Sequence, residues 1–117
     1  MSQNADDRIA TFPATVAAVI DMYKVVINRG SEHGVKVGDR FLIYRSTNEI
    51  IDPETKKSLG RLELSKGKGS VIFTDPKMAL VESDEFENPF AVPTVFSAPS
   101  PKKPFDKPEI GDKAKPI

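Results

Sequence analysis

The run INRGSEHGVKVGD, at residues 27–39, decides how the rest of the chain is interpreted. Its glycines Gly30, Gly34 and Gly38 are spaced four residues apart, and we expect them to reverse the chain at positive φ, where other side chains are strained. Apolar residues alternate on both sides of the run, which is the period of a β-strand. The run therefore predicts a corner between two strands. It contains neither GxGxxG nor GxxxxGK[ST], so it does not predict a phosphate site.

The alternation of apolar residues predicts six short strands, at residues 15–20, 23–27, 40–45, 59–64, 69–74 and 78–81. No segment combines a helical period with helix start and stop signals. Six strands separated by frequent turn residues favour an all-β fold, a small six-stranded SH3-like or OB-like barrel. A flat two-layer sheet is the alternative. The predicted barrel domain occupies residues 12–83, after a flexible polar leader at residues 1–11.

The composition changes after residue 83. Residues 84–117 hold seven of the ten prolines and no alternating apolar pattern. Such a segment buries too little apolar surface to offset its ordering entropy, so a disordered Pro-rich tail is predicted. Aromatic side chains in a flexible segment can dock on a partner protein. The candidate partner-binding residues are Phe86, Phe90, Phe96 and Phe105, with an inert linker as the alternative.

The composition argues against several kinds of chemistry. The chain has no cysteine, which excludes thiolate ligands and thiol catalysis, and His33 is its single histidine. The carboxylates of Asp52 and Glu54 could act as an acid–base pair only in a cleft that separates their pKa values, and IIDPETKKSLG instead indicates a solvated turn. We therefore expect no catalytic residue, no metal, no cofactor and no enzymatic activity.

A basic stretch gives the alternative function. It consists of Lys56, Lys57, Arg61, Lys66 and Lys68. On an OB-like barrel such residues can follow a single-stranded nucleic acid while aromatic side chains stack on its bases. Glu54 and Glu63 interrupt the stretch, and 17 acidic residues balance 17 basic ones over the whole chain. Nucleic-acid binding is therefore less favoured than binding to a protein.

The order of motifs resembles one known family. Residues 25–45 (VVINRGSEHGVKVGDRFLIYR) are followed by IIDPETKKSLGRLEL and by the segments GSVIF and MALVES. This pattern is similar to the C-terminal β-barrel domain of the flagellar assembly protein T family and to related small modules of bacterial envelope proteins. Lys56 stands where relatives often have glycine.

The resemblance implies a barrel fold and structural roles for its motif residues. Gly30, Gly34 and Gly38 would form turns, Asp39 would accept backbone donors, Asp52 and Thr55 would cap a loop, and Gly60 would return the chain to the sheet. It implies no catalytic residue.

The sequence thus predicts a bacterial, soluble, non-enzymatic module for protein–protein interaction or assembly, of an envelope or flagellar type, whose tail recruits a partner protein. No apolar run reaches the roughly 20 residues of a membrane span. The N-terminal residues MSQNADDRIA are polar and acidic, so we do not expect a signal peptide. The default location is the cytoplasm, with the periplasm as the alternative if the chain is a fragment of an exported protein.

Overall fold

The computed structural model of the chain describes residues 12–86 and 102–117. Within these ranges the strands are β1 (Ala14–Asp21), β2 (Lys24–Ile27), β3 (Arg40–Ser46), β4 (Ile50–Ile51), β5 (Ser58–Gly60), β6 (Glu63–Thr74), β7 (Ala79–Ser83) and β8 (Lys113–Pro116). A single turn of 3₁₀ helix, Ser31–His33, lies between β2 and β3. The described ranges contain no α-helix.

Six of the strands close into an antiparallel barrel in the order β1-β2-β7-β6-β3-β8, and β4 and β5 form a separate two-stranded sheet. The predicted all-β, six-stranded barrel is therefore confirmed. Its strands are not all the predicted ones. The predicted fourth and fifth strands correspond to β5 and to one long strand, β6, and the sixth barrel position is taken by β8.

The prediction of a disordered tail is wrong for the C-terminal residues 102–117. The strand β8 pairs with β3 through Ala114↔Ile43 and with β1 through Ala114↔Ala14, so it closes the barrel. Phe105 is 1% exposed within the core, and its backbone N–H donates to the Met22 carbonyl at 2.8 Å. Residues 102–117 are thus not a disordered tail, and the domain does not end at residue 83. Few apolar residues suffice here because their backbone groups complete an existing ladder.

The core fills the interior of this barrel with small and branched side chains and two phenylalanines. Its members are Ala14, Val16, Val25, Ile27, Val35, Phe41, Ile43, Val71, Ala79, Val81, Phe105 and Ala114. Alternation along β2 buries Val25 and Ile27, as the sequence pattern indicates. Phe12 packs against the core, with its ring centroid 5.8 Å from that of Phe41.

The run at residues 27–39 forms the corner between β2 and β3. Gly34 and Gly38 have φ of 87° and 96°, as expected. Gly30 does not, because its φ is −136°. The requirement for glycine there is steric, since a Cβ would lie 2.0 Å from the Asp75 carbonyl oxygen of the β6–β7 connection. The corner is therefore packed against the neighbouring connection.

One type of turn leads into both β3 and β8. Gly38 at φ 96° precedes Asp39, whose Oδ2 accepts the Lys36 N–H at 2.9 Å. In the same way Gly111 at φ 99° precedes Asp112, whose Oδ2 accepts the Glu109 N–H at 2.8 Å. In each turn the aspartate N–H donates back to the residue three positions earlier. The Gly-Asp pair therefore signals the start of a strand at two places in this chain.

Candidate functional site

The most prominent surface feature is a two-stranded projection of residues 45–65, here called the arm. The pairing of β8 with β3 ends at Tyr44, and the pairing of β7 with β6 begins at Gly69. Beyond these points β3 and β6 continue as a ribbon that ends in β4 and β5. None of the 21 arm residues is buried, and all except the half-buried Thr47 and Asp52 are exposed. The arm has no core of its own.

The tip of the arm is a turn set by side chains that cap the backbone. Asp52 Oδ1 accepts the Glu54 N–H at 2.8 Å, and Thr55 Oγ1 accepts the Lys57 N–H at 3.3 Å. Lys56 occupies positive φ, 63°, at the position where the resembled family often has glycine. Aspartate and threonine are favoured at such positions because their short side chains bond to nearby backbone groups. Asp52 and Thr55 therefore have a structural role, because their side chains stabilise the turn.

The arm exposes a group of aliphatic side chains. Their residues are between 39% and 68% exposed, and they are Ile50, Ile51, Leu59, Leu62 and Leu64. An isolated two-stranded hairpin is at best marginally stable in water. Large apolar patches on a protein surface typically mark interaction sites. These side chains are therefore available to a binding partner.

The two sides of the arm carry opposite charge. We call residues 49–54 the outgoing side, and its charged residues are Glu49, Asp52 and Glu54. We call residues 56–61 the return side, and its charged residues are Lys56, Lys57 and Arg61. Among the described residues, none of these six makes an ion pair. The arm therefore presents both an acidic and a basic edge to whatever binds it.

The base of the arm is tied to the C-terminal segment. Lys66 Nζ lies 2.9 Å from Asp112 Oδ2, and this ion pair is almost completely buried. Lys115 Nζ lies 2.9 Å from Glu63 Oε1 and 5.0 Å above the ring of Tyr44. Burial, with a smaller effect of Glu63, raises the pKa of the Tyr44 hydroxyl. These contacts hold the first residues of β6 against β8.

A groove of about 980 Å³ lies where β6, residues 84–86 and residues 103–107 meet. Met22 and Phe86 contribute apolar surface to it, and its lining includes both basic residues, such as Lys68 and Lys103, and acidic ones, such as Glu85. Phe86 is 47% exposed and forms an isolated bridge with Lys102. Of the four candidate phenylalanines, Phe86 is thus accessible at this groove and Phe105 is not. Phe90 and Phe96 lie outside the described residues.

The predicted basic stretch is divided between two places. Lys56, Lys57 and Arg61 lie on the return side of the arm, whereas Lys66 and Lys68 line the groove. The Lys66 ammonium is engaged by Asp112 and by the Lys107 carbonyl at 2.8 Å. It is therefore not available to a ligand in this arrangement.

An ion pair ties the start of β3 to the end of β7. Arg40 Nε lies 2.6 Å from Asp84 Oδ2, and the Ser70 hydroxyl donates to the same carboxylate. The hydrogen bond from Arg40, with help from Ser70, lowers the pKa of Asp84 below its usual value. The same contact raises the pKa of Arg40. Since both strands belong to the barrel, this pair has a structural role.

His33 also has a structural contact, because its Nδ1 accepts the Gly30 N–H at 3.0 Å. Across residues 12–86 and 102–117, no three His, Cys, Asp or Glu side chains are grouped so that they could hold a metal ion. The same ranges include no helix long and apolar enough to cross a membrane.

None of the protein-family models matches this sequence, and a search of the curated proteins finds no significant similarity.

The arm is not predicted by the sequence pattern. The pattern indicates a solvated turn around Asp52 and a barrel strand at residues 59–64, whereas in the structure both belong to the arm. The adjacent aliphatic pair Ile50-Ile51, beside a capped turn, was the available signal. Aliphatic residues at strand spacing indicate a buried face just as readily as an exposed ribbon, so the pattern alone could not separate the two.

Proposed function

We propose that this chain is a non-enzymatic β-barrel module that binds another protein through the arm. The observation that carries the proposal is that residues 45–65 keep a hairpin conformation while burying none of their side chains. The barrel supplies the rigid base, and the arm supplies the contact surface.

The energetics of the aliphatic side chains support a protein partner. The five exposed side chains present on the order of 500 Å² of accessible surface, which corresponds to roughly 12 kcal/mol of gross apolar burial. Association itself costs an estimated ~4–15 kcal/mol. The free energy gained by burying these side chains is thus similar in size to the free-energy cost of association. Affinity therefore depends on how well the partner also pairs the charges along the two sides of the arm.

The resemblance to the flagellar assembly protein T family supports the same class of function. It is carried by the glycine corner, by the capped Asp52 turn and by the strands that follow, and it implies structural roles for those residues. An assembly role in a bacterial envelope or flagellar complex is the setting that we propose on this ground. The accessible Phe86 at the groove is a second contact point of the same module.

The proposal is tested by photo-crosslinking in an extract of the source cells. A photoreactive residue replaces Leu59 on the arm or, as a matched control, the equally exposed Ile110 on the turn before β8. We expect protein adducts from position 59 that are lost when the same photoreactive chain also carries Ile51→Glu. Equal adduct patterns from positions 59 and 110 would contradict the proposed arm surface.

Binding to single-stranded nucleic acid is the second candidate, favoured by the unpaired Lys56, Lys57 and Arg61. The acids of the outgoing side lie immediately before and after β4, close to these basic residues, and their negative charges oppose a phosphate backbone. A fluorescence titration with labelled oligonucleotide separates the candidates. Affinity that falls steeply with salt, and that is lost in Lys56→Ala with Lys57→Ala, would favour nucleic acid over protein.

A further inference from the structure

The distribution of charge on the arm restricts what can pack against it. A partner must offer basic groups to the outgoing side and acidic groups to the return side, at the same spacing along the ribbon. A second arm carries that arrangement, because its return side is basic and its outgoing side is acidic.

The symmetry of a two-copy contact decides whether these charges match. Most oligomers of one chain are two-fold symmetric, with the same patch on both copies. If the two-fold axis runs along the arms and between them, each outgoing side lies on the partner's return side. If the axis runs across the strands, acid lies on acid and base on base. Attraction between opposite charges selects the first arrangement, in which the two arms point the same way.

We infer that the arm binds a second copy of this chain, face to face, with its acidic side on the partner's basic side. This inference rests on the proposed function, since it names the partner of the same surface. Within one arm Ile50 pairs with Gly60, so Glu49 and Arg61 lie at the same distance from the tip. In the two-copy arrangement Glu49 therefore lies opposite the partner's Arg61. The acids and bases near the tip meet in the same way.

The size of the contact is consistent with a weak dimer. Successive residues of a strand point to opposite faces, so Ile50 and Ile51 do not share a face, and only part of the ~1,000 Å² of aliphatic surface on two arms enters a face-to-face contact. Such a contact is smaller than the ~1,200–2,000 Å² of stable specific interfaces and falls among the weak ones. The formal net charge of the chain is zero, so two copies experience no overall repulsion.

The first test is sedimentation velocity of the full chain over concentrations from about 1 to 100 µM, a range that covers weak dimers. We expect a concentration-dependent shift from monomer to dimer. The variant with Ile51→Glu and Leu59→Glu should raise the dimer Kd by at least about tenfold, whereas the control Ile110→Glu should leave it unchanged. Because none of these three residues is buried, far-UV circular dichroism should show the same fold for all chains. A wild type that stays monomeric throughout would overturn the inference.

The second test exchanges the charges. One variant carries Lys56→Glu, Lys57→Glu and Arg61→Glu, and the other carries Glu49→Lys and Glu54→Lys. Asp52 stays unchanged because it caps the turn. Each variant alone should be mostly monomeric, since like charges then face each other. An equimolar mixture should restore the dimer. A mixture that remains monomeric would contradict the charge pairing.

The two proposals fail in different ways. If the chain is monomeric in both tests, yet position 59 still gives protein adducts that Ile51→Glu abolishes, the partner is a different protein and only the second-copy inference fails. If the chain is monomeric and position 59 gives no such adducts, the arm is not an interaction surface and the proposed function fails as well.

Discussion

The replacement Phe105→Ala tests whether the C-terminal segment belongs to the barrel. The Phe105 ring is 1% exposed, and it packs so closely on β6 that a Cβ at Gly67 would lie 2.9 Å from the ring. Removing a buried phenylalanine side chain typically costs about 3–5 kcal/mol, because the apolar contacts are lost and a cavity remains. This is a large part of the ~5–15 kcal/mol that stabilises a small domain.

The measurement is urea unfolding followed by far-UV circular dichroism. With an m-value of about 1–2 kcal/mol/M for a domain of this size, the midpoint should fall by roughly 1.5–5 M with little change in m. The matched control is Phe86→Ala, the same substitution at a half-exposed ring, which should cost about 1 kcal/mol or less. Equal midpoints for the two variants would refute the burial of Phe105, and with it the closure of the barrel by residues 102–117.

Two further predictions concern the corner and the ion pair. Gly30→Ala should destabilise the fold by about 2 kcal/mol or more, since its Cβ would overlap the Asp75 carbonyl, whereas Gly60→Ala meets open space and should cost about 1 kcal/mol in thermal unfolding. Because the pKa of Asp84 is lowered in the fold, its contribution to stability is complete above pH 4 or so and is lost as the pH falls through the folded value. The melting temperature of Asp84→Asn should therefore depend less on acid pH than that of the wild type. If the melting temperatures of both chains changed equally with pH, the ion pair between Asp84 and Arg40 would be contradicted.

The barrel was largely predictable because most of its strands carry their own periodic signal. Residues 23–27 alternate, and Val25 and Ile27 are fully buried where β2 lies. The same alternation does not hold along β1: Val16 is buried but Ile20 is 59% exposed, because the β1–β2 register shifts twice. Such irregularities depend on the fit between strands and leave no mark in a single strand's sequence.

The strand β8 could not be predicted from local pattern. It has four residues and one buried side chain, Ala114, and it follows a Pro-rich segment. Its position is set by pairing with β3 and β1, which are about 70 and 100 residues away in the sequence. One local signal did exist, since the Gly-Asp pair before β8 repeats the pair before β3, and both form the same turn.

The same C-terminal segment explains why the arm can project from the barrel. Beyond Tyr44, β3 is no longer paired with β8 and keeps only β6 as a neighbour, and a two-stranded ribbon without further support would be expected to fray. Asp112 fixes Lys66, and Lys115 fixes Glu63, so the root of β6 is held from the side that β8 occupies. Replacing Lys66 would leave the nearly buried Asp112 without its partner, which is far more costly than losing the exposed pair at Lys115. These contacts therefore fix the direction of the arm at its base. The residues nearer its tip do not enter the core, which leaves their aliphatic and charged side chains free for a partner.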